Sequence, residues 1–111
     1  MLSRDAILGH KDDRIGKVEV PEMGGEVCVA SLTVAEMDRL SKLDGSNPAS
    51  VEVVILGACD ENGDRLFTEK DRLALAKLPA SVIGLISKAV LDHNGMGKQE
   101  EAKNASSETG N

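Results

Sequence analysis

The sequence predicts an α+β domain in which an N-terminal β-hairpin packs on a bundle of about four short α-helices, followed by a disordered polar tail. Valines alternate with other residues around a Gly-Gly pair, and apolar residues later recur at helical spacing. A length of 111 residues with 41% apolar residues allows one modest core. We expect a flexible arm over residues 1–16, a single α+β domain over 17–96 and the tail over 97–111.

Residues 17–32 are typical of a β-hairpin. Its alternating valines are Val18, Val20, Val27 and Val29. We expect Gly24 and Gly25 to form the tight turn with positive φ angles, which places Val20 opposite Val29 and all four valines on one face. Pro21 lacks an N–H and therefore predicts an edge strand.

A helix is predicted over residues 33–43, because Thr33 and Glu36 have the spacing of a capping box. Its apolar stripe recurs every three positions, at Val34, Met37, Leu40 and Leu43.

Residues 48–59 favour a second helix. The β-branched run at 51–56 is equally typical of a strand. Asn47 as the N-cap and Pro48 in the first turn favour the helix. In both alternatives the segment belongs to the core, because it carries almost no charge.

Two further helices and the tail complete the chain. Thr68 and Asp71 cap a helix over 69–77, whose predicted inward residues are Leu73 and Ala76, with Leu75 as a further candidate. Residues 80–93 have the strongest periodicity, and their predicted buried face is Val82, Leu85, Ile86, Ala89, Val90 and His93. Asn94-Gly95 ends this helix in a left-handed cap. Residues 97–111 contain no large apolar side chain and predict disorder.

The composition argues against two classes of partner. The net charge is -6, and Phe67 is the single aromatic residue, so neither a basic phosphate-binding patch nor a base-stacking platform is expected. No apolar run has the length of a membrane span, and charges interrupt the N-terminal segment, unlike a signal peptide. We therefore expect binding to neither nucleic acid nor membrane. The two cysteines, Cys28 and Cys59, are expected to be reduced.

The candidates for catalysis or metal binding are weak. Acidic and amide residues between positions 60 and 71 resemble a calcium loop, but Arg65 occupies the position of its required glycine. His10 and His93 belong to no metal-ligand cluster, and His93 is predicted to be structural. No nucleophile-base motif or phosphate-binding glycine loop occurs. We expect no enzyme activity, no catalytic or metal site and no cofactor.

Two stretches resemble the tail assembly chaperones of phages with long, non-contractile tails, especially those that infect actinobacteria. Residues 20–40, VPEMGGEVCVASLTVAEMDRL, are similar to a hairpin motif followed by a capped helix. Residues 58–96 are similar to the family's D-E-x-G-x-R-L-F-T turn and its two following helices. Met23 stands where the family has an aromatic residue, and His93 replaces an apolar one.

The resemblance implies a protein that acts in the cytoplasm of the infected bacterium and is absent from the mature virion. Such a chaperone binds the hydrophobic tape measure protein, and copies of it form a homo-oligomeric coat. A longer form, made by a ribosomal frameshift, recruits the tail tube protein, and Gly97-Lys98 is the possible frameshift position. Candidate partner-binding residues are Met23, Gly24, Gly25, Leu40 and Leu43, although periodicity favours a core role for the two leucines.

The alternative hypothesis is another small phage or bacterial protein-binding adaptor, such as an anti-repressor or a host-factor adaptor. A gene for a very long, helix-rich protein immediately downstream would favour the chaperone. A small enzyme or a calcium protein is the third hypothesis.

Overall fold

The computed structural model describes residues 1–96, which form an antiparallel sheet packed against helices. The helices are α1 (Arg4–Leu8), α2 (Val34–Ser41), α3 (Ala49–Gly57), α4 (Arg72–Ala76) and α5 (Ala80–His93). The strands are β1 (Ile15–Val20), β2 (Gly25–Ala30) and β3 (Ala58–Cys59), in the order β1-β2-β3. The α+β class is thus confirmed, with a short third strand that the sequence did not predict. The tail predicted over 97–111 lies outside the described residues.

The hairpin forms with a register four positions from the predicted one. Val20 pairs with Gly25 rather than with Val29. Pro21–Met23 form a 3-10 turn and Gly24 has a φ of 69°, so four residues connect the strands. Gly25 has no positive φ and begins β2, so the predicted Gly-Gly turn was wrong. Because the shift is an even number of residues, the four valines still share one face.

The hairpin also begins earlier than predicted, because β1 starts at Ile15 within the expected N-terminal arm. The remainder of that arm contains α1, which buries no residue. Beside β1, Arg14 donates two hydrogen bonds to Asp12, at 3.0 and 2.8 Å. These bonds hold the pKa of the Asp12 carboxyl well below its usual range.

The core lies between the valine face of the sheet, α3 and α5. Residues 51–59 are all buried, and the helix alternative for 51–56 is confirmed by α3. The helix begins one residue later than predicted, because Pro48 rather than Asn47 is its N-cap. The apolar run then continues into β3, which pairs with β2.

Two predicted helix faces were partly wrong. In α5, Val82, Ile86 and Val90 are buried as predicted, but Ile83 is buried in place of Leu85, which is 37% exposed. The predicted capping box at Thr68 and Asp71 opens a 3-10 turn at Glu69–Asp71, and α4 begins only after this turn, at Arg72. α4 buries Leu75, whereas Leu73 is 77% exposed. Leu73 and Leu75 are about 200° apart around a helix, so only one of them can face the core.

The predicted capping box of α2 is confirmed, since Thr33 and Glu36 each accept a backbone hydrogen bond from the other. The helix nevertheless buries no residue, and Val34 of its predicted stripe is almost fully exposed. The α2 helix is therefore a surface layer over α3 rather than part of the core.

Gly16 marks a close approach between β1 and the end of α5. A Cβ on this residue would lie 2.8 Å from His93 Nδ1 and 2.9 Å from Val29 Cγ2. Gly16→Ala is therefore expected to lower the free energy of unfolding by about 1.5 kcal/mol through overpacking. Urea denaturation followed by circular dichroism measures this loss. Gly25→Ala is the matched control, because a Cβ on that strand residue meets no atom within 4 Å. Equal stability of the two variants would contradict the prediction.

Candidate partner-binding surfaces

The hairpin tip (Met23, Gly24 and Gly25) presents an apolar side chain on a turn that hydrogen bonds hold in place. Met23 is 66% exposed. The Gly24 N–H donates to the Pro21 carbonyl at 3.1 Å, which closes the turn. The neighbouring Glu22 carboxylate accepts a hydrogen bond of 2.6 Å from the Ser81 hydroxyl at the start of α5. The tip is therefore held against α5 with the Met23 side chain accessible to a partner.

The other two predicted residues, Leu40 and Leu43, line a small cleft between α2, α3 and α4. This α2 cleft has a volume of about 40 Å³, and its lining is Arg39, Leu40, Leu43, Glu52, Ile55, Leu56 and Arg72. Leu40 is half-buried and packs against the core, as the core alternative predicted. Leu43 is 38% exposed at the same cleft. Of the two leucines, Leu43 is the one more available to a partner.

The charged groups that line the α2 cleft are paired with one another or with a neighbour. Arg72 donates to the buried Glu52 carboxylate from Nε at 2.9 Å and from Nη2 at 2.7 Å. The hydrogen-bonded Glu52 carboxylate raises the pKa of Arg72. Arg39 donates to Glu69 at 2.8 Å, in a pair that is open to solvent on both sides. These pairs connect α2 and α4 to their neighbours and fix the walls of the cleft.

The fold keeps the hairpin tip and the N-terminal end of α2 apart. The tip is tied to Ser81, in the first turn of α5. Leu32, just before α2, donates its N–H to the side chain of Asn94, beyond the other end of α5, at 2.8 Å. The 14 residues of α5 span about 20 Å. The tip and the N-terminal end of α2 are thus positioned by opposite ends of one helix.

A second cleft, which the sequence did not predict, opens between α3, α4 and the start of α5. This α4 cleft has a volume of about 170 Å³ and apolar walls formed by Val51, Leu75, Ala76, Leu78, Ala80 and Ile83. Pro48 and Ser50 complete its lining. Leu78 is 44% exposed. Leu73, three residues before Ala76, shares its helix face. Leu78 therefore exposes part of the apolar wall of the cleft, whereas Leu73 lies outside its lining.

One sequence signal could have revealed the α4 cleft. Leu73, Leu75 and Leu78 occur within six residues, just before the break at Pro79. Leucines two positions apart point to nearly opposite sides of a helix, so they cannot both face the same core. At least one leucine had to remain at the surface, and the structure shows that Leu73 does.

In the loop that resembles a calcium site, acidic side chains accept hydrogen bonds from backbone N–H groups of the same segment. Asp60 Oδ1 accepts from the N–H groups of Asn62 and Asp64, at 2.8 and 3.0 Å. Asp71 accepts from the Thr68 N–H as part of a helix cap. Within residues 1–96, no three His, Cys, Asp or Glu side chains are grouped so that they could hold a metal ion.

Arg65, which interrupts the calcium motif, is instead a structural link. Its guanidinium donates to the Leu56 carbonyl at 2.6 Å and to the Ser31 carbonyl at 3.1 Å, which joins α3 to the end of β2. His93 also lies at this end of the domain, with Nε2 3.3 Å from the Ser31 hydroxyl. These contacts give both side chains a role in holding the sheet to the helices.

Comparison of the chain with known protein families, curated proteins and solved structures found no match. None of the helices in residues 1–96 combines the length and the apolar composition that crossing a membrane requires. The predicted frameshift position, Gly97-Lys98, lies outside the described residues.

Proposed function

We propose that this protein is a phage tail assembly chaperone that binds the tape measure protein in the cytoplasm of the infected bacterium. The observation that carries the proposal is the apolar α4 cleft with its partly exposed Leu78, on a chain whose net charge is -6. An amphipathic helix binds by laying apolar side chains into such a cleft. The resemblance over residues 20–40 and 58–96 implies that the long tape measure protein supplies that helix.

The separation of the apolar surfaces supports a coat of many copies along one long partner. Met23 and Leu73 are both more than 60% exposed, on the hairpin tip and on α4. Contacts between different surfaces of neighbouring copies generate open helical arrays unless the rotation between copies closes them into a ring. Net negative charge on each copy would keep a coated apolar filament in solution. The chaperone thus acts through binding alone, without covalent chemistry or a cofactor, and is released before the virion is complete.

Coexpression tests the proposal. The tape measure protein of the same phage is expected to remain in the soluble fraction when the full chain is present and to precipitate when it is absent. Leu78→Ser is expected to weaken binding about tenfold, because Leu78 is a partly exposed wall of the cleft and truncating an apolar anchor costs on the order of 1–2 kcal/mol. Leu8→Ser is the matched control, since Leu8 is 67% exposed in α1, outside both clefts and the tip.

Two outcomes distinguish a failure of the proposed function from a failure of the proposed binding surface. A tape measure protein that stays insoluble beside the unaltered chain would contradict the proposed function. Equal rescue by the Leu78→Ser and Leu8→Ser variants would instead reject the α4 cleft as the binding surface. An adaptor, the alternative function, would leave the tape measure protein insoluble and would be encoded away from tail genes.

Recruitment of the tail tube protein is assigned to a longer, frameshifted form of the chain. Gly97-Lys98 is compatible with a run of G followed by a run of A, on which a ribosome can slip. Codons at these positions that cannot re-pair after a backward slip would exclude frameshifting there. The binding of the short form to the tape measure protein would be unaffected.

A further inference from the structure

The two cysteines lie directly opposite each other on neighbouring strands. Cys28 of β2 and Cys59 of β3 are partners in the antiparallel pair. Cα atoms of directly opposed residues in such a pair are about 4.5–5.5 Å apart. A disulfide requires a Cα separation of roughly 4.4–6.8 Å. The backbone therefore holds the two thiols at a spacing that a disulfide can bridge without a change of fold.

The backbone hydrogen bonds around β3 refine this spacing. The Ala58 carbonyl accepts from the Leu66 N–H at 3.1 Å, and the Asp60 N–H donates to the Asp64 carbonyl at 2.9 Å. These groups on either side of Cys59 point away from β2. Because successive residues of a strand alternate, the N–H and C=O of Cys59 point toward β2, and such pairs have a Cα separation of about 5.5 Å.

The thiols differ in accessibility. Both cysteines are free, with Cys59 buried and Cys28 only half-buried. A surface groove of about 290 Å³ is lined by both cysteines. Lys17, the partner of Cys28 in β1, lines the same groove. Burial raises the pKa of the Cys59 thiol, and its neighbour Cys28 adds to that effect.

We propose that Cys28 and Cys59 form a reversible intramolecular disulfide, with a low-molecular-weight disulfide of the glutathione type as the oxidant. The Cys28 thiolate attacks one sulfur of the oxidant, whose S–S bond breaks and releases a thiolate that takes up a proton. The Cys59 thiolate then attacks the Cys28 sulfur of this mixed disulfide and displaces the second small thiol. In total, the two cysteines lose two electrons and two protons, and the oxidant gains both.

The cross-link joins β2 to the strand that follows α3. It closes a long chain segment and thereby restricts the unfolded state. The oxidised protein is therefore expected to melt at least about 5 °C higher than the reduced protein. This modification is independent of the proposed chaperone function.

The test exposes the purified full chain to oxidised glutathione at a temperature well below its melting point. Intact mass spectrometry is expected to show a monomer that has lost two hydrogen atoms, and dithiothreitol restores the original mass. Cys59→Ala removes the resolving thiol and is expected to accumulate one glutathionyl group on Cys28. Cys28→Ser is the matched control, and its buried Cys59 is expected to react at least about tenfold more slowly.

Three results would overturn the proposal. The first is that both cysteines remain free thiols, and the second is that only intermolecular dimers form. The third is that the disulfide forms only after the chain unfolds. The Arg72→Met variant identifies the third result, because loss of its hydrogen bonds to Glu52 destabilises the fold outside the groove that both cysteines line. An oxidation rate that rises in proportion to this loss of stability shows that the disulfide forms from the unfolded chain. An unchanged rate supports oxidation in the native fold.

Discussion

Replacing Gly57 with alanine is expected to lower the free energy of unfolding by about 3 kcal/mol. Gly57 ends α3 where that helix crosses α5. A Cβ at this position would overlap Cγ1 of Val90 and lie 2.6 Å from its Cγ2. Val90 is fully buried, and its β-branched side chain has one strongly preferred rotamer in a helix. It therefore cannot move aside, and either α3 or α5 must shift.

Helix propensity alone predicts the opposite sign, because it favours alanine over glycine by about 1 kcal/mol. Gly84→Ala provides the matched control, because Gly84 lies within α5 and a Cβ there meets no atom within 4 Å. That variant is expected to gain up to about 1 kcal/mol. Urea denaturation followed by far-ultraviolet circular dichroism suits both, since the chain contains neither tryptophan nor tyrosine.

A double-mutant cycle assigns the loss to the predicted contact. In a Val90→Ala background both Cγ atoms are absent, so Gly57→Ala is expected to cost less than it does in the unaltered chain. A Gly57→Ala variant as stable as Gly84→Ala would show that the helices adjust without strain. Equal costs of Gly57→Ala in the two backgrounds would place the strain elsewhere.

Local sequence patterns predicted the elements of this fold better than their pairing. The capping boxes at Thr33 and Thr68 were predicted because each depends on residues only three positions apart. The hairpin register was not predicted, because Pro21–Met23 form a turn of their own before Gly24. The valine face survived this error, since alternation fixes which face is buried but not which residues pair.

The burial of each helix face depends on neighbours that are distant in sequence. The periodicity of α5 favoured Leu85, but α5 packs against both the sheet and α3, and Ile83 is buried instead. β3 was missed because its two residues continue the apolar run of α3. Pairing of β3 with β2, and with it the opposition of the two cysteines, depends on the path of the whole chain.

The candidate site shows the same limit. Met23 was predicted as a candidate from its place at the hairpin tip, and it is 66% exposed because such connecting segments lie at the surface. The α4 cleft was not predicted, because its walls come from three helices. The ion pair between Glu52 and Arg72 was also missed, since twenty positions separate the two residues and Glu52 lies in an otherwise apolar run.

That ion pair leads to the second large expected effect. Arg72→Met is expected to lower the free energy of unfolding by about 3 kcal/mol. The substitution keeps an aliphatic side chain of similar length but removes both donors to the Glu52 carboxylate, at 2.9 and 2.7 Å. Because Glu52 is only 9% exposed, water cannot fully replace these donors. The loss thus measures the cost of leaving a carboxylate unpaired beside the core.

Arg39→Met separates this cost from the general effect of removing an arginine from the α2 cleft. Arg39 pairs with Glu69 at a similar distance of 2.8 Å, but both side chains are more than half exposed. Exposed pairs contribute little, so this control is expected to change stability by no more than about 0.5 kcal/mol. Equal losses for Arg39→Met and Arg72→Met would contradict the assigned role of burial.

Removing the carboxylate as well should restore most of the lost stability. Replacing a buried ion pair by apolar residues of similar volume is often neutral, whereas removing one partner is costly. The free energy of unfolding of the Glu52→Leu, Arg72→Met double variant is therefore expected to lie within about 1 kcal/mol of the value for the unaltered chain. Such a recovery would mean that the pair itself adds little to stability, and that Arg72 is needed because Glu52 is there. A double variant as unstable as Arg72→Met alone would instead assign the loss to the packing of the arginine side chain between α3 and α4.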